Sequence, residues 1–494
     1  MRNTKKISKK TIITAAAVIA ALVAASVITA VVIRSGADVK YVIVMSLDSR
    51  AMTLSAKQTV GYRNSSDGEI SEVKLNLYPN AFREGAKIKP YFEAGVDAAY
   101  PDGINYGGID IKSASSNGAP CEFSIGGDDK NILSIKMPEP IKRGASRSFD
   151  IEYTVKIPKT NMRFGYYDGI INLTNFFPTV CVLKDGQFAE CAYLPTGDPF
   201  FSQAADFDVT LTTDRAYLAA HSGDLKSEKQ EGGGRTFGYK AKNIRDFALC
   251  LSESFAVETA KAGGVEIKYY YLKGGTNSGE KAGLSARAIK FFSEYFFEYP
   301  YKTYCLVETF ITAGGMEYPN LVFINKDMSE SDKETVIVHE TAHQWWYGIV
   351  GSDNLSAAWM DEGLTEFSTE LFFEKNDRRL KAAEYYRGNY AAAKRFDQIV
   401  GEINPGNITM EKHLSEFVSE YEYVVCVYSR GHLLFKDLFK TVTEQNFKKA
   451  VKYYVKKNKY KIASADGLTA AFNKYYKGDV RGIFSAWINF NKEY

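Results

Sequence analysis

The hydrophobic period of the chain changes near Gly274–Gly275, and this change limits the possible folds more than any other feature of the sequence. Between about residues 40 and 275, short apolar or alternating runs such as Tyr41–Leu47 are separated by Gly, Asn and Asp residues, a pattern typical of β-strands. Beyond Ser331 the apolar residues recur mainly at helical spacing. The sequence therefore predicts an α+β fold, with an N-terminal antiparallel β domain followed by a mainly helical domain.

An uncharged segment at residues 11–33 precedes the β-rich part. A helix of this length spans roughly 34 Å, which is enough to cross the hydrocarbon core of a bilayer. The basic residues before it keep the N-terminus in the cytoplasm by the positive-inside rule. We therefore expect a single-pass cell-membrane protein: a cytoplasmic tail at 1–10, a transmembrane helix at 11–33 that contacts the lipid bilayer, and, outside the cytoplasm, a β-rich domain at 40–260 and a second domain at 261–494.

The charge of the chain argues against nucleic acid as a partner. The net charge of +3 depends on six basic residues among the first 34, and the remainder has 56 basic and 59 acidic residues. A near-neutral body lacks the basic face that nucleic-acid binding requires. The lysines at 447–457 are expected to form the solvated face of an amphipathic helix rather than a binding patch. A homo-oligomer is possible but is not indicated by the sequence.

The six cysteines are scattered and include no C-x-x-C pair. Cys181 and Cys191 are near one another in sequence and could form a disulfide in an oxidising compartment. They could equally be small buried apolar residues. No cysteine is placed like a zinc ligand.

The H-E-T-A-H stretch at 339–343 carries the most specific chemistry. Ser331 and Glu334 upstream predict a capping box and hence a helix around the motif. Four residues of helix bring His339 and His343 to one face, where both imidazoles can bind one metal ion. A hydrolytic zinc site needs three protein ligands and an open position, and Glu362 in the next predicted helix is the candidate third ligand. Glu340 lies where it can reach a bound water.

These residues resemble the gluzincin metallopeptidases of the aminopeptidase N and leukotriene hydrolase group. The resemblance covers roughly residues 40–490 and includes the 339–343 motif followed by Glu362. The segment 314–317 (Gly-Gly-Met-Glu) is similar to the family's G-x-M-E motif, and the segment 428–431 (Tyr-Ser-Arg-Gly) is similar to its Y-x-K-G motif. Weaker similarity occurs at 197–200.

The resemblance implies a thermolysin-like catalytic domain that holds one Zn²⁺ per chain and hydrolyses peptide or protein substrates. It implies that Glu340 is the general base and that Tyr428 donates to the oxyanion, with Tyr423 nearby. It also implies a binding site for the free α-amino group of a peptide, formed by Glu317 on an edge strand together with Gly314, Gly315 and Met316. The predicted function is that of a membrane-anchored zinc aminopeptidase.

Several positions depart from the family pattern. Tyr318 replaces the asparagine of G-x-M-E-N, Asp361 replaces the asparagine before the zinc glutamate, and Arg430 replaces the lysine of Y-x-K-G. We expect a short form of the family that lacks its helical C-terminal domain. Two alternatives therefore stay open: an endopeptidase or a protease with one dedicated substrate, and a non-catalytic ectodomain with a structural zinc.

Overall fold

The computed structural model describes residues 37–274, 278–403 and 408–490. The predicted tail at 1–10 and the predicted anchor at 11–33 lie outside the described residues. Within the ranges described, no helix is both long enough and apolar enough to cross a bilayer.

An eight-stranded sheet forms the frame of the N-terminal half. In spatial order its strands are β16 (Asp224–Glu231), β17 (Gly234–Ile244), β14 (Ala205–Thr213), β1 (Val39–Asp48), β2 (Thr53–Arg63), β8 (Ser146–Lys156), β4 (Gly108–Ser116) and β5 (Ala119–Pro120). Alternate side chains of β1 are buried, including Val39, Tyr41 and Ile43. This alternation fixes the register, because a slip by one residue would turn the apolar side chains to the opposite face.

Three smaller sheets complete the β-rich half. Two have four strands: β15 (Leu218–His221), β18 (Leu249–Ser252), β10 (Ile170–Leu173) and β9 (Gly165–Tyr167) in one, and β11 (Thr179–Val180), β3 (Ile70–Asn76), β7 (Ile132–Ile141) and β6 (Phe123–Gly126) in the other. The third is the hairpin of β12 (Leu183–Lys184) and β13 (Gln187–Phe188). Tyr41 of β1 stacks on Phe207 and meets the edge of Phe177, so aromatic rings fill the core between the sheets.

A mixed five-stranded sheet begins at Phe255. Its spatial order is β19 (Phe255–Ala262), β20 (Val265–Leu272), β21 (Thr303–Thr309), β23 (Leu321–Asn325) and β22 (Gly315–Met316). The central strands β20, β21 and β23 are parallel, and β22 is an antiparallel edge strand. The Gly-Met-Glu segment thus lies at the open edge of this sheet.

The helices are short at first and then dominate the second half of the chain. They are α1 (Val96–Ala99), α2 (Ser278–Tyr295), α3 (Glu330–Ala342), α4 (Trp359–Lys375), α5 (Arg379–Ile403), α6 (Glu420–Tyr423), α7 (Arg430–Val442), α8 (Glu444–Asn458), α9 (Ala465–Asn473) and α10 (Val480–Ile488). Single 3₁₀ turns occur at Tyr78–Phe82, Glu93–Gly95 and Leu414–Glu416. A six-residue π-helical segment, Val424–Ser429, joins α6 to α7.

A buried arginine joins the large sheet to the helical half. Arg245 directly follows β17 and donates from Nε to the carbonyl oxygen of Tyr347 at 2.8 Å. Its Nη2 donates to the carbonyl oxygen of Lys461. A Cβ atom at Gly351 would lie 2.2 Å from the Arg245 guanidinium, so only glycine leaves room for this contact. The two halves therefore share one fixed orientation.

The predicted order of a β-rich domain followed by a mainly helical domain is confirmed. One strand pair differs from the predicted antiparallel arrangement, because β1 and β14 are parallel. Twelve strands lie between them in chain order, so their connection need not be a hairpin. The domain boundary at 260/261 stays a prediction.

Helices α4 and α7 touch through two glycines, which generates a prediction for stability. A Cβ at Gly431 would lie 2.8 Å from the Cα of Gly363, and backbone cannot move aside as a flexible side chain can. We expect Gly431→Ala to lower the free energy of unfolding by about 1–3 kcal/mol, measured by urea denaturation. Gly388→Ala in α5 is the control: its Cβ meets open space, so the variant should be as stable or about 0.5–1 kcal/mol more stable. Equal effects of the two variants would contradict this packing argument.

Candidate active site

Helix α3 carries the three residues of the H-E-x-x-H motif that bear chemistry. His339 and His343 are one turn apart, and their Nε2 atoms lie 3.1 Å from one another. Glu340 is buried beside them. The i, i+4 spacing of the sequence thus produces the shared face that it predicts.

The predicted capping box of Ser331 and Glu334 at the start of α3 is wrong. The cap is Ser329, whose Oγ accepts a hydrogen bond from the backbone N–H of Asp332 at 3.2 Å. Ser331 lies inside the first turn, because the helix begins one residue before it at Glu330. Glu334 pairs with Arg378 and Lys381 rather than with the helix terminus.

Helix α4 brings Glu362 to the two imidazoles. Its Oε2 lies 3.4 Å from Nε2 of His339 and 3.2 Å from Nε2 of His343. The close contact of Gly363 with Gly431 holds this turn of α4 against α7. The structure therefore brings together the three residues proposed as metal ligands, although the sequence places Glu362 in a different helix.

The hydrogen bonds of the imidazoles determine what their inner nitrogens offer. Nδ1 of His343 lies 2.8 Å from Oδ1 of Asp361, and Nδ1 of His339 lies 3.1 Å from Oε1 of Glu366. Each Nδ1 proton is therefore directed at a carboxylate, and each Nε2 presents a lone pair. These lone pairs converge with Oε2 of Glu362, a buried oxygen without a hydrogen-bond partner among the described residues.

Three converging electron-pair donors fit a zinc ion. Ligand atoms in tetrahedral coordination, each about 2.0–2.1 Å from zinc, are about 3.3 Å apart. The separations here, 3.1, 3.4 and 3.2 Å, agree with that spacing. Two histidines and a glutamate are also a common donor set of hydrolytic zinc sites.

The protonation equilibria show the same preference for a cation. Burial lowers the pKa of His339, but the carboxylates of Glu362 and Glu366 outweigh that effect and raise the pKa to about 10. Burial alone would raise the pKa of Glu362, but the His343 and His339 imidazoles hold it well below its usual range. The negative potential that attracts protons to the imidazoles equally attracts a divalent cation.

Glu340 occupies a buried position next to the edge strand. Burial raises the pKa of its carboxyl to about 7, and its Oε2 has no hydrogen-bond partner among the described residues. A Cβ at Gly315 would lie 2.3 Å from Oε1 of Glu340, so the strand can approach only with glycine there. A carboxyl group with a pKa near neutrality can both accept and return a proton.

A second carboxylate, Glu317, lies just after the edge strand. It is buried, and one of its oxygens has no partner among the described residues. Burial, with the nearby Asp198, raises its pKa well above the usual range. Glu317, Glu340 and His343 form a second cluster whose ligand atoms lie within 4.8 Å of one another. Gly314 and Met316 flank this position, and Met316 accepts from Arg163 at 3.2 Å.

Sequence reasoning missed three carboxylates and one cation in this site. Glu366 binds His339, Asp361 binds His343, and Asp198 forms a buried ion pair with Arg163. Asp361 had been noted only as a departure from the family pattern and Asp198 only within a weak similarity. The spacing of Glu366, one helical turn after Glu362, was a signal that could have revealed it.

Tyr428 reaches the site from the π-helical segment. Its hydroxyl donates to Oε1 of Glu362 at 2.7 Å, and its ring stacks on His339 with centroids 6.1 Å apart. Tyr423, one π-helical turn earlier, meets the edge of the Tyr428 ring at 5.8 Å. The wider π-helical turn sets the direction of Tyr428, and such segments are frequent at functional sites.

Two departures from the family pattern lie outside the group of converging ligands. Tyr318 is fully buried and packs edge-on against Phe323. Arg430 is also fully buried and pairs with Asp397, with its guanidinium over the ring of Phe490. Both side chains are therefore part of the packing around the site.

The comparisons with known proteins agree with this geometry. Residues 281–487 match the model of the Peptidase family M1 domain. Aminopeptidase 2, mitochondrial, of Saccharomyces cerevisiae is 24% identical over 411 residues, covering 78% of this chain and 42% of that protein. The puromycin-sensitive aminopeptidase of Caenorhabditis elegans is 24% identical over 383 residues, covering 73% of this chain and 40% of that protein. The chain thus spans less than half the length of these two curated relatives.

Solved structures share the fold. The M1 zinc metallopeptidase from Deinococcus radiodurans superposes with a TM-score of 0.67 at 17% identity, over 92% of this chain and 95% of that one. A mutant of that enzyme bound to a Tyr-Ser-Ala substrate gives a TM-score of 0.66. Zinc is the metal that the family implies. Residues 281–487 thus match a Peptidase family M1 domain, the curated relatives are aminopeptidases, and together these likenesses support the resemblance to the aminopeptidase N group of gluzincin metallopeptidases.

Proposed function

We propose that this protein is a membrane-anchored zinc aminopeptidase that binds one Zn²⁺ per chain and removes N-terminal residues from peptides. One observation carries the proposal: Nε2 of His339, Nε2 of His343 and Oε2 of Glu362 converge beside the buried carboxyl of Glu340. A structural zinc site would be closed by a fourth ligand, whereas three ligands beside an acid–base group are typical of hydrolytic sites.

The proposed chemistry is hydrolysis without a covalent intermediate. Zinc bound by the three ligands supplies a Lewis acid that acidifies water and polarises a carbonyl group. Glu340 accepts the proton of the attacking water and returns it to the leaving amine, which its pKa of about 7 permits. Tyr428 turns its hydroxyl from Glu362 to the oxyanion that develops on the substrate.

The buried carboxylates beside the edge strand support the exopeptidase assignment. When ionised, the buried carboxyl of Glu317 creates a negative potential beside Asp198, whose own charge is already paired with Arg163. A free α-ammonium group compensates that potential, whereas an acylated N-terminus does not.

A cavity lined in part by Tyr428 supports the endopeptidase alternative. It has a volume of about 740 Å³ and is lined by residues that include Glu366, Tyr385, Tyr428 and the exposed apolar Leu380 and Val424. A space of this size can hold several residues of a peptide substrate.

The cellular arrangement is also part of the proposal. Residues 11–33 anchor the chain as a single span, the basic tail stays in the cytoplasm, and the catalytic part lies outside it. The support is the length of the uncharged segment and the basic residues before it.

Removing the charge behind His339 should weaken metal binding. Glu366→Gln keeps an oxygen for Nδ1–H but loses the negative charge, so we expect zinc affinity to fall about 10–100-fold, measured by competition with a chelating dye. Glu374→Gln in the same helix is the matched control and should bind zinc normally. Unchanged affinity in Glu366→Gln would show that this carboxylate does not support the metal.

The general-base assignment has a direct test. We expect Glu340→Gln to retain zinc, measured by elemental analysis, and to lower kcat about 10²–10⁴-fold because the amide cannot accept the water proton. Wild-type turnover in the zinc-loaded variant would remove Glu340 from the mechanism.

Paired peptides distinguish the two enzymatic alternatives. We expect peptides with a free N-terminus to be cleaved at their first bond and their N-acetylated versions to resist cleavage, as followed by mass spectrometry of the products. Glu317→Ala should raise KM for the free peptides, because the ammonium group loses a buried partner. Equal cleavage of free and acetylated peptides at internal bonds would favour an endopeptidase.

A further inference from the structure

A strongly basic surface lies on the last helices, away from the candidate active site. Nine lysines on α8, in the loop after it and directly after α9 form what we call the lysine surface: Lys448, Lys449, Lys452, Lys456, Lys457, Lys459, Lys461, Lys474 and Lys477. The segment 448–477 contains these nine lysines and a single acidic residue, Asp466, so its net charge is +8. The whole chain carries only +3, so the charge distribution is very uneven.

The lysine surface differs from an ordinary solvated helix face in its lack of counter-charges. None of its nine ammonium groups forms an ion pair with a carboxylate of the described ranges, whereas nearby Lys375 and Lys436 pair with Glu444 and Glu370. Ordinary surfaces intersperse both signs of charge, and a field of one sign is typical of a surface that attracts a charged partner.

Tyrosines are interleaved with the lysines. Tyr453, Tyr460, Tyr475 and Tyr476 are half-buried, and the ammonium group of Lys474 lies 4.1 Å from the ring centroid of Tyr453. Tyrosine and lysine together are typical of surfaces at the level of lipid headgroups, because the ring is amphipathic and the ammonium group pairs with phosphate.

The fold places one part of this surface, the loop that contains Lys461, near the start of β1. Arg245, which donates to the carbonyl oxygen of Lys461, directly follows the last residue of β17. At the same end of the sheet β17 pairs with β14, where Asp206 is the register partner of Lys40 in β1. From β17 across β14 to β1 is a distance of two strand spacings, or roughly 10 Å. The loop that contains Lys461 and the first residues of β1 therefore lie at one end of the large sheet.

The covalent chain limits how far this end can be from the proposed anchor. Only residues 34–36 separate the uncharged segment from Ala37. Four Cα–Cα steps of about 3.8 Å reach at most about 15 Å. In the proposed topology, the end of the sheet that contacts the Lys461 loop is thus held close to the headgroups.

We infer that the lysine surface docks on anionic phospholipid headgroups beside the point where the chain enters the membrane. This inference rests on the proposed anchor but not on the proposed chemistry. Docking would fix the orientation of the catalytic half on the bilayer, because a surface contact would add to the single covalent tether.

Lysine accessibility on two bilayers tests the inference. The full chain is reconstituted in vesicles of phosphatidylcholine, or of phosphatidylcholine and phosphatidylglycerol in equal parts, and acetylated with a water-soluble amine reagent. We expect labelling of Lys452, Lys456, Lys457 and Lys461 to be at least about threefold lower on the anionic vesicles. Salt at about 1 M should abolish the difference, because the Debye length is then about 3 Å.

Three exposed lysines of the large sheet outside the lysine surface provide the control. Lys156 and Lys229 lie toward the end of the sheet opposite the start of β1, and Lys112 lies in the middle of β4; all three should label equally on both kinds of vesicle. The triple variant Lys456→Gln, Lys457→Gln and Lys461→Gln should lose the protection of the remaining lysines. The triple variant Lys112→Gln, Lys156→Gln and Lys229→Gln removes the same charge and should keep it.

The outcomes separate this inference from the anchor and from the peptidase activity. Insertion is scored independently by resistance to alkaline carbonate extraction. If the chain inserts but its lysines label equally on both kinds of vesicle, the docking inference is wrong. That result does not affect the proposed anchor or the proposed zinc chemistry. If the chain does not insert, the anchor is wrong, and labelling after addition of either vesicle to the free chain decides whether the surface binds anionic lipid. Protection by soluble polyglutamate but not by anionic vesicles also overturns the inference in favour of an acidic polymer.

Discussion

The structure depends on the burial of many like charges around one point. Carboxylates of Glu317, Glu340, Glu362, Asp361 and Glu366 lie within or directly behind the site, and all are buried. Isolated carboxylates in such a place would be strongly destabilising. The imidazoles compensate part of this charge, and the convergence of three lone-pair donors fits a divalent cation that compensates more of it.

Close backbone contacts make this concentration of charge geometrically possible. Gly315 allows the edge strand to touch the carboxyl of Glu340, and the Gly363–Gly431 contact brings the helix of the third ligand against its neighbour. The π-helical segment then brings Tyr428 to within 2.7 Å of Glu362. The glycine contacts and the π-helical segment are features of the backbone. A search of the sequence for reactive side chains therefore does not reveal them.

The sequence predicted the centre of the site better than its surroundings. The two histidines and Glu340 follow from one helical turn, and Glu362 follows from the need for a third ligand. The carboxylates behind the histidines and the pair of Asp198 with Arg163 were not predicted as site residues, because contacts between separate elements have no local pattern. The predicted cap of α3 was wrong by two residues. Several serine and acidic residues near its start could cap the helix, and only the packed structure shows that Ser329 does so.

Local periodicity and short-range stereochemistry let the sequence by itself determine the order of the β-rich and helical halves and the pairing of His339 with His343. The tertiary structure alone decided which carboxylates meet those rings, and that Lys461, in the loop after α8, lies at the same end of the large sheet as the start of β1. The physical reason is the range of the interactions. Hydrogen bonding within a helix or strand depends on neighbours in the chain, whereas charge compensation and packing depend on residues that only the complete fold brings together.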